Sequence, residues 1–367
     1  MRVTSLASGS SGNALLVEAG PGRRTRLLVD AGLSGNILIE RLRRAGTHPT
    51  QLQGVLVTHE HSDHIIGLPV LTKRYAIPVI TAPDTLAAIE QNLASTWLDE
   101  WTPTTGDLSK QGDHKQGEDS QQSDHKGSPL QYTNRSPKAV YCEQGEDGEP
   151  GDHKGYTCPP DRVPLLYADR LPKAVLSTQN EAEIMSGEQA QPLQPGSRCQ
   201  IGDIEVISFP VSHDALAPCG YLLSAGGCRV CIAIDSGEVT PIMLEAMHHA
   251  DLLVLESNHD RERLLRGPYP HHLKMRILSP TGHLSNDQAA DAVLHTWRTD
   301  SVRWLWLSHL SRTNNTPKLA LKSMLARLEA AKANLDQVHI SVLPPGMGNV
   351  WDSTQLWESP ALWDMPL

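Results

Sequence analysis

The sequence predicts an α+β protein, a layered αββα sandwich that is interrupted by a long low-complexity insertion. Three observations lead to this prediction. Apolar stretches of strand length come early in two separate blocks, residues 1–101 and 199–345. Stretches with a helical pattern follow them, so strands and helices would form separate layers rather than a doubly wound sheet. Between the blocks, residues 102–198 keep neither a helical nor a strand period.

The first block contains both kinds of element. Its strand candidates are short apolar runs, at Val3–Leu6, Ala14–Glu18, Thr25–Val29 and Gly54–Val57. Its helix candidates are longer, at Asn36–Ala45, Ile65–Tyr75 and Pro83–Leu93. The last strand candidate leads directly into a run of histidines.

The second block repeats this arrangement. Its strand candidates are Ile204–Phe209, Gly220–Leu223, Val230–Ile234, Leu252–Leu255, Val302–Leu307 and Val338–Leu343. Its helix candidates are Asn286–Thr296 and Pro317–Ala333. Residues 346–367 are expected to form a C-terminal tail. The tail's tryptophans, Trp351, Trp357 and Trp363, predict docking on the protein's own body, with a partner protein as the alternative.

The insertion, residues 102–198, is rich in Gly, Pro, Gln, Ser, Asp and Lys. Asp-His-Lys recurs within it, at 113–115, 124–126 and 152–154. The repeats lack the apolar faces of a stacked-repeat fold, and so little apolar surface cannot offset the chain entropy. We therefore expect a disordered insertion whose His114, His125 and His153 are incidental to metal binding. Removing residues 103–197 is expected to leave the metal content intact.

The bulk composition fits a globular enzyme, with 39% hydrophobic and 20% charged residues in 367 positions. A net charge of −10 argues against broad non-specific attraction to nucleic acid but allows a local basic patch. No stretch reaches the roughly 18 apolar residues that cross a bilayer, and Met1–Leu6 lacks the apolar core of a signal peptide. We expect a cytoplasmic protein without a membrane partner.

Two cysteines, Cys228 and Cys231, form a C-x-x-C pattern that is typical of zinc or redox sites. They lie in the apolar run Cys228–Ile234, which predicts a buried strand. Positions three apart on a strand point to opposite faces, which suits shared ligation poorly. We therefore interpret both cysteines as structural.

His59, His61, Asp63 and His64 form the pattern H-x-H-x-D-H directly after an apolar strand candidate. On an extended chain the imidazoles of His59 and His61 face the same side, and a turn would bring Asp63 and His64 to a neighbouring point. Imidazole and carboxylate ligands suit zinc, manganese or iron. Two such ions, about 3.5–4 Å apart, would share a bridging hydroxide. A chance polar cluster on a surface turn is the weaker interpretation.

One hexapeptide cannot complete two coordination spheres, so further ligands must come from elsewhere. His213, Asp235 and His309 each end an apolar run. Side chains at the carboxyl ends of strands point into the crevice where folds of this kind place their sites. Each residue alone would fit a buried polar position in the core; together with the hexapeptide they are predicted metal ligands.

The order of these residues resembles the metal-ligand set of the metallo-β-lactamase superfamily. The resemblance implies one metal held by His59, His61 and His213, a second held by Asp63, His64 and His309, and Asp235 as the bridge between them. Asp63 would also orient the nucleophile. Asp30 matches an early structural aspartate that supports the ligand loop through hydrogen bonds.

Further motifs resemble the YycJ/WalJ-like branch of that superfamily, which is associated with nuclease activity on DNA. They are Leu6–Asn13, Glu256–Asp260, Gly267–Pro270, Thr281–Asn286 and Leu307–Ser311. Together with the ligand pattern, they extend the resemblance over nearly all of both blocks.

The sequence is also similar to tRNA 3′-end-processing ribonucleases of the RNase Z type, in its Gly-His-x-Ser element. In those enzymes an acidic residue pairs with this histidine and assists proton transfer; Glu256 and His283 occupy the matching positions. A carboxylate would fix the tautomer and raise the basicity of the imidazole, which makes it a suitable acid for a leaving oxygen. A buried structural pair is the alternative.

Two elements are candidates for binding the phosphates of a substrate. The turn at Ser10 and Ser11 could offer backbone N–H groups to an anion, or its glycines could serve only a tight turn. The other element is Asn258 with the basic stretch Arg261–Arg276, in which Asn258, Arg261 and Lys274 are the predicted phosphate contacts; a solvated charged face is the alternative there.

These observations predict a two-metal phosphodiesterase or nuclease that acts on DNA like an exonuclease, through a metal-activated hydroxide. Zn²⁺ or Mn²⁺ is the expected cofactor, with iron as a third candidate. The alternative is a small-molecule hydrolase of the same fold, acting on cyclic phosphodiesters, thioesters or lactones. The intact ligand set disfavours a metal-binding sensor without catalysis. The oligomeric state stays open, a homodimer being one option.

Overall fold

The computed structural model describes residues 1–100, 190–299 and 301–356. Most of the predicted insertion lies outside these residues, as do Trp357 and Trp363 of the predicted tail. Within the described part of the chain, no helix is both long enough and apolar enough to span a bilayer.

Two seven-stranded sheets form the centre of the fold. In spatial order, the first contains β14 (Val350–Asp352), β1 (Arg2–Ala7), β2 (Ala14–Ala19), β3 (Thr25–Val29), β4 (Gly54–Leu56), β5 (Val79–Thr81) and β6 (Ala190–Pro192). The second contains β13 (Val338–Val342), β12 (Arg303–Ser308), β11 (Leu252–Glu256), β10 (Cys228–Ala233), β9 (Cys219–Ala225), β8 (Ile204–Pro210) and β7 (Arg198–Ile201). Each sheet is antiparallel at one end and parallel at the other.

The helices connect the parallel strands or extend from the ends of the sheets. They are α1 (Gly35–Arg44), α2 (Ser62–Ile65), α3 (Leu68–Tyr75), α4 (Pro83–Glu100), α5 (Pro241–His248), α6 (Arg261–Arg266), α7 (His271–Ile277), α8 (Asn286–His295) and α9 (Pro317–Ala330). Short 3₁₀ helices lie at Pro21–Arg23, Pro49–Gln51, Leu335–Gln337 and Ser353–Leu356. Parallel neighbours need such crossovers, which place helices on the outer faces of the sheets.

Three hydrophobic layers hold these elements together. Val17 and Ile232 belong to the layer between the two sheets. Leu38 of α1 packs with Leu28 of β3 on the outer face of the first sheet. Met243 of α5, with the apolar faces of α8 and α9, covers the second sheet. The predicted αββα sandwich is confirmed.

The two cysteines of the C-x-x-C pattern lie on opposite faces of β10. Cys228 packs between the sheets, and Cys231 packs beneath the helices. Both thiols are buried and free. The interpretation of these cysteines as structural is confirmed.

The single helix predicted over Ile65–Tyr75 is wrong, because the chain forms α2 and α3 with a break at Gly67. A Cβ atom at Gly67 would lie 2.5 Å from the carbonyl oxygen of Leu33. The close approach of these two backbones explains both the glycine and the break.

The predicted end of the insertion at residue 198 is also wrong. Strand β6 begins at Ala190 and pairs in parallel with β5, and β7 begins at Arg198. The sequence of β6, Ala-Gln-Pro, carries no apolar alternation, and proline is tolerated there because the strand lies at a sheet edge. Deleting residues 103–197 would therefore remove an edge strand. The disorder predicted for the insertion before residue 190 lies outside the described residues.

The predicted tail begins within the fold rather than beyond it. Strand β14 pairs antiparallel with β1, and Trp351 is fully buried between the sheets. The domain boundary at residue 345 is therefore wrong, whereas docking of Trp351 on the protein's own body is confirmed.

Candidate metal centre

The predicted ligands come together at the carboxyl ends of strands from both sheets. His59 follows the end of β4, Asp235 follows β10, and His309 follows β12 directly. The carboxyl ends of parallel strands share one edge of a sheet, which places these residues side by side. The local turns after each strand then aim the side chains into the space between the two sheets.

Three residues that directly follow or closely follow strands of the site have a left-handed backbone conformation. Asp30, Asp235 and His309 have φ angles of 60°, 56° and 53°. This conformation is uncommon for residues with a Cβ atom and costs about 1–3 kcal/mol at each position. Backbone strain of this kind concentrates at functional sites, where the surrounding contacts hold it in place.

His59, His61 and His213 form one cluster, which we call the first cluster. The Nδ1 atom of His61 lies 3.1 Å from Nε2 of His59 and 3.3 Å from Nε2 of His213. The other ring nitrogens have different partners: Nδ1 of His59 lies 3.0 Å from the Thr58 hydroxyl, and Nδ1 of His213 lies 3.0 Å from the carbonyl oxygen of Gly282. The three converging nitrogens are therefore free to share a cation.

Asp63, His64 and His309 form the second cluster. The Oδ2 atom of Asp63 lies 3.7 Å from Nε2 of His64 and 3.6 Å from Nε2 of His309. Nδ1 of His64 lies 2.8 Å from Oδ2 of Asp30. Asp30 also accepts hydrogen bonds from the backbone N–H and the hydroxyl of Thr58, so this carboxylate ties the ligand loop together.

Asp235 lies between the two clusters. Its Oδ2 atom is 2.8 Å from Nε2 of His64 and 3.8 Å from Nε2 of His59. Its other oxygen, Oδ1, lies 2.7 Å from Nδ1 of His309, so the buried carboxylate is surrounded by imidazole nitrogens. Nε2 of His309 is buried without a hydrogen-bond partner among the described residues. Buried polar atoms without partners are rare unless they bind an ion.

Glu256, the last residue of β11, connects His283 to the second cluster. Its Oε1 atom lies 2.8 Å from Nδ1 of His283 and 2.9 Å from Nδ1 of His309. Its Oε2 atom accepts backbone N–H groups from Ser236 and Leu284. The predicted Glu256–His283 pair is present, and the additional contact with His309 was not predicted. Oδ1 of Asp235 also lies near both Nδ1 atoms, at 2.7 Å in His309 and 3.2 Å in His283. The two carboxylates together hold a proton on Nδ1 of each ring, which leaves Nε2 to contact other groups.

The protonation of the metal-free centre follows from these contacts. Burial works against the charged form of His64, but the carboxylates of Asp30 and Asp235 outweigh it and raise the pKa of His64 to about 10. The pKa of His283 is likewise raised to about 9, against burial, by Glu256 and Asp235. Burial alone would raise the pKa of Glu256, but His283 and His309 outweigh it and lower the pKa to about 2. Without a cation, protons on the imidazoles balance the buried carboxylates.

The first cluster has the opposite electrostatic character. Burial lowers the pKa of His59 well below its ordinary value, and the neighbouring His64 lowers it further. Burial also lowers the pKa of His213. These imidazoles are neutral at pH 7, which is the form that binds a metal. Neutral imidazoles, buried carboxylates and short distances between donor atoms together fit divalent cations.

The predicted phosphate-binding residues occupy the surroundings of the centre, and their contact with a substrate stays a prediction. Ser10 and Ser11 are exposed, and Ser11 accepts a hydrogen bond from Arg312. Arg261 is exposed at the start of α6. Asn258 and Lys274 already donate to backbone carbonyls, those of His309 and Leu265 respectively.

Sequence reasoning assigned no role to Thr58 or Asn13. The Thr58 hydroxyl contacts Nδ1 of both His59 and His64. The amide nitrogen of Asn13 lies 3.1 Å from Nε2 of His64. Thr58 directly precedes the predicted ligand His59, and this position in the sequence could have indicated a role. Asn13 and His64 are distant in sequence, so no local pattern indicated their contact.

Comparisons with known proteins identify the family. A family model described as "Metallo-beta-lactamase superfamily" matches residues 7–157. A second, described as "Beta-lactamase superfamily domain", matches residues 153–303.

Two relatives cover most of the chain. "Exodeoxyribonuclease YycJ" of Bacillus anthracis is 31% identical over 324 residues, which span 88% of this chain and 88% of that protein. "Exodeoxyribonuclease WalJ" of Streptococcus pneumoniae (strain ATCC BAA-255 / R6) is 29% identical over 326 residues, which span 89% of this chain and 87% of that protein.

Two solved structures share the fold. Zn(2+)-bound PqqB from Methylobacterium extorquens has a TM-score of 0.54 at 14% identity, with 96% of this chain and 100% of that chain covered. The metallo-beta-lactamase fold protein YhfI from Bacillus subtilis has a TM-score of 0.52 at 13% identity, with 96% and 99% covered. At these identities the likeness shows the fold alone.

Proposed function

Because this chain belongs to the metallo-beta-lactamase superfamily of hydrolases, we propose that it is a two-metal phosphodiesterase that degrades DNA from an end. The observation that carries the proposal is the position of Asp235 between two clusters of ligand atoms at the carboxyl ends of the strands. The preference for DNA comes from the two relatives that are named exodeoxyribonucleases.

The ligand assignment follows the two clusters. His59, His61 and His213 would hold one divalent cation, and Asp63, His64 and His309 the other, with Asp235 in contact with both. Bound cations would lower the pKa of a water molecule toward neutrality and offset the charge that develops on phosphate oxygens. Zinc and manganese both suit this set of donors, with iron as a third candidate.

Asp63 has the position to orient the attacking water. Only one of its carboxylate oxygens, Oδ2, faces the imidazoles of His64 and His309. The side chain is 25% exposed, whereas the other members of the second cluster are almost fully buried. Its second oxygen is therefore available to accept a hydrogen bond from the water and direct a lone pair at phosphorus.

His283 has the position to protonate the leaving oxygen. Glu256 fixes the Nδ1–H of its ring, so Nε2 lies on the side that faces away from this carboxylate. The His283 side chain is 20% exposed and so can reach a substrate. As the P–O bond breaks, the leaving sugar oxygen would take the proton from Nε2. The new P–O bond would form from the oxygen of a water molecule that has given one proton to solvent, and solvent would later return a proton to His283.

The test uses purified protein with manganese or zinc and DNA labelled at either the 5′ or the 3′ end. We expect progressive shortening of DNA from an end that stops when a chelator is added. RNA of the same sequence and bis-p-nitrophenyl phosphate serve as comparison substrates. Cleavage of the small phosphodiester alone would favour a small-molecule hydrolase instead.

Two aspartate variants make the test specific. Asp63→Ala should abolish cleavage, because the variant loses a ligand and the group that orients the water. Asp336→Ala is the matched control, since Asp336 is exposed beside the start of β13, at the opposite end of the sheet from the ligands. Full activity of Asp63→Ala would contradict the mechanism.

A further inference from the structure

The main chain of Asn13 is fixed to the loop that carries the second cluster. Its N–H donates to the carbonyl oxygen of Asp63 at 2.9 Å, and its carbonyl oxygen accepts from the N–H of Gly32 at 2.9 Å. A Cβ atom on Gly32 would lie 1.6 Å from the carbonyl oxygen of Asp63, so only glycine allows this approach. Any movement of Asn13 relative to Asp63 is therefore restricted.

The orientation of the Asn13 amide is also fixed. The backbone N–H of Gly9 donates to its oxygen, Oδ1, at 2.9 Å. A backbone N–H can only donate, so this contact identifies the oxygen and leaves the NH₂ group on the other side. The residue is only 2% exposed, so water has little access to it.

The NH₂ group faces the predicted metal site. Its nitrogen, Nδ2, lies 3.1 Å from Nε2 of His64. Because Nδ1 of His64 is held by Asp30, Nε2 is the atom of this ring that can bind a cation. Nε2 also lies 2.8 Å from Oδ2 of Asp235, so without a cation it donates to that carboxylate, and with a cation its lone pair is used by the ion. In neither state does Nε2 accept from the NH₂ group, which is left pointing at the ligands of the ion.

We propose that the Asn13 amide donates a hydrogen bond to a non-bridging phosphate oxygen of the substrate at the second cluster. The proposal rests on the proposed function and adds a substrate-contacting residue to it. A donor held in place before the reaction stabilises the charge that develops on such an oxygen more than it stabilises the bound substrate. Asn13 would therefore act mainly on kcat.

Two substitutions separate this role from support of the fold. Asn13→Ala removes the donor, and Asn13→Asp keeps the acceptor for the N–H of Gly9 while it removes the donor. With saturating metal, we expect both to lower kcat for bis-p-nitrophenyl phosphate about 100-fold, the effect of losing one such donor. We expect KM of Asn13→Ala to change only a few-fold and the metal content of both variants to match that of the parent protein.

Binding of inorganic phosphate provides a readout that is independent of turnover. Calorimetry on the metal-loaded protein should show about tenfold weaker binding for Asn13→Ala, the loss expected for one hydrogen bond to a charged group. Asn334→Asp is the control for the chemical change, because Asn334 uses its side-chain oxygen to cap a 3₁₀ helix and an aspartate keeps that contact.

Three results would overturn the role of Asn13. They are unchanged kcat and phosphate affinity in Asn13→Ala, recovery of its kcat when more metal is added, and a parent protein that binds metal but no phosphate. Failure of the proposed function has a different signature. In that case the parent protein cleaves no phosphodiester, yet it binds phosphate and Asn13→Ala binds it more weakly.

Discussion

The two clusters of the metal centre contain similar ligands but have different supports. In the first cluster, the second ring nitrogens of His59 and His213 contact neutral oxygens, those of the Thr58 hydroxyl and the Gly282 carbonyl. In the second cluster, the corresponding nitrogens of His64 and His309 contact the carboxylates of Asp30 and Glu256.

The charge of the group that contacts the second ring nitrogen therefore distinguishes two clusters whose predicted ligands are alike. A carboxylate behind an imidazole raises its basicity and fixes its tautomer, which strengthens its bond to a metal. A neutral oxygen orients the ring but adds little charge. We therefore expect the second cluster to bind its cation more tightly and to depend more on its supports than the first.

The largest effect is expected at the residue that both clusters share. Asp235→Ala should lower activity by more than about 100-fold, which is the upper range for loss of a mere supporting group. Because Asp235 contacts His59 and His64, metal content should fall at both sites. Elemental analysis of the purified variant measures this, and a full complement of metal would contradict the central position of Asp235.

A smaller and selective effect is expected at the supports of the second cluster. Glu256→Gln keeps the shape of the side chain but removes its charge, and should weaken metal binding or activity about 10- to 100-fold. Competition with a chelating dye should show this loss for one metal equivalent only. Thr58→Ser is the matched control, since it keeps the hydroxyl that orients His59. Equal weakening of both equivalents in Glu256→Gln would remove the distinction between the clusters.

The smallest expected effect is the pH dependence of cation binding at the second cluster. In the metal-free protein the pKa of His64 is raised to about 10, and that of His309 is also raised above its ordinary value. Both therefore hold a proton at pH 7 that a cation must displace, so the affinity of the second cluster should increase as pH rises from about 6.5 toward 10. Since the pKa values of His59 and His213 are lowered by burial, these two residues should release no proton.

Calorimetry in buffers of different ionisation enthalpy measures this release directly. Proton release should accompany the tighter of the two binding events. Release with the weaker event, or with neither, would show that the assignment of the clusters is reversed or wrong.

The sequence predicted which side chains come together at the candidate site better than it predicted the groups that support them. His59, His61, Asp63 and His64 stand within one short segment, and residue types of this kind after an apolar strand are distinctive. Asn13 and His64 lie 51 positions apart, and Glu256 and His309 lie 53 apart. Such contacts depend on how two strand ends approach each other, which no local pattern encodes.

Among the elements of the fold, long ones were predicted from the sequence and short ones were missed. Long apolar strands such as β8 and paired helices such as α8 and α9 were predicted from their periodicity. Strands β5, β6, β7 and β14 were missed because each has only three or four residues, too few to display alternation. Trp351 of β14 is buried among side chains of both sheets, which are distant from it in sequence.

Anomalous diffraction from metal-loaded crystals would show whether two cations lie between these side chains. Data collected at the absorption edges of zinc and manganese should show two peaks in each chain. One peak should contact His59, His61 and His213, the other Asp63, His64 and His309, and both should be next to Asp235. A single peak, or a peak away from Asp235, would show that the two clusters do not hold a pair of cations at Asp235.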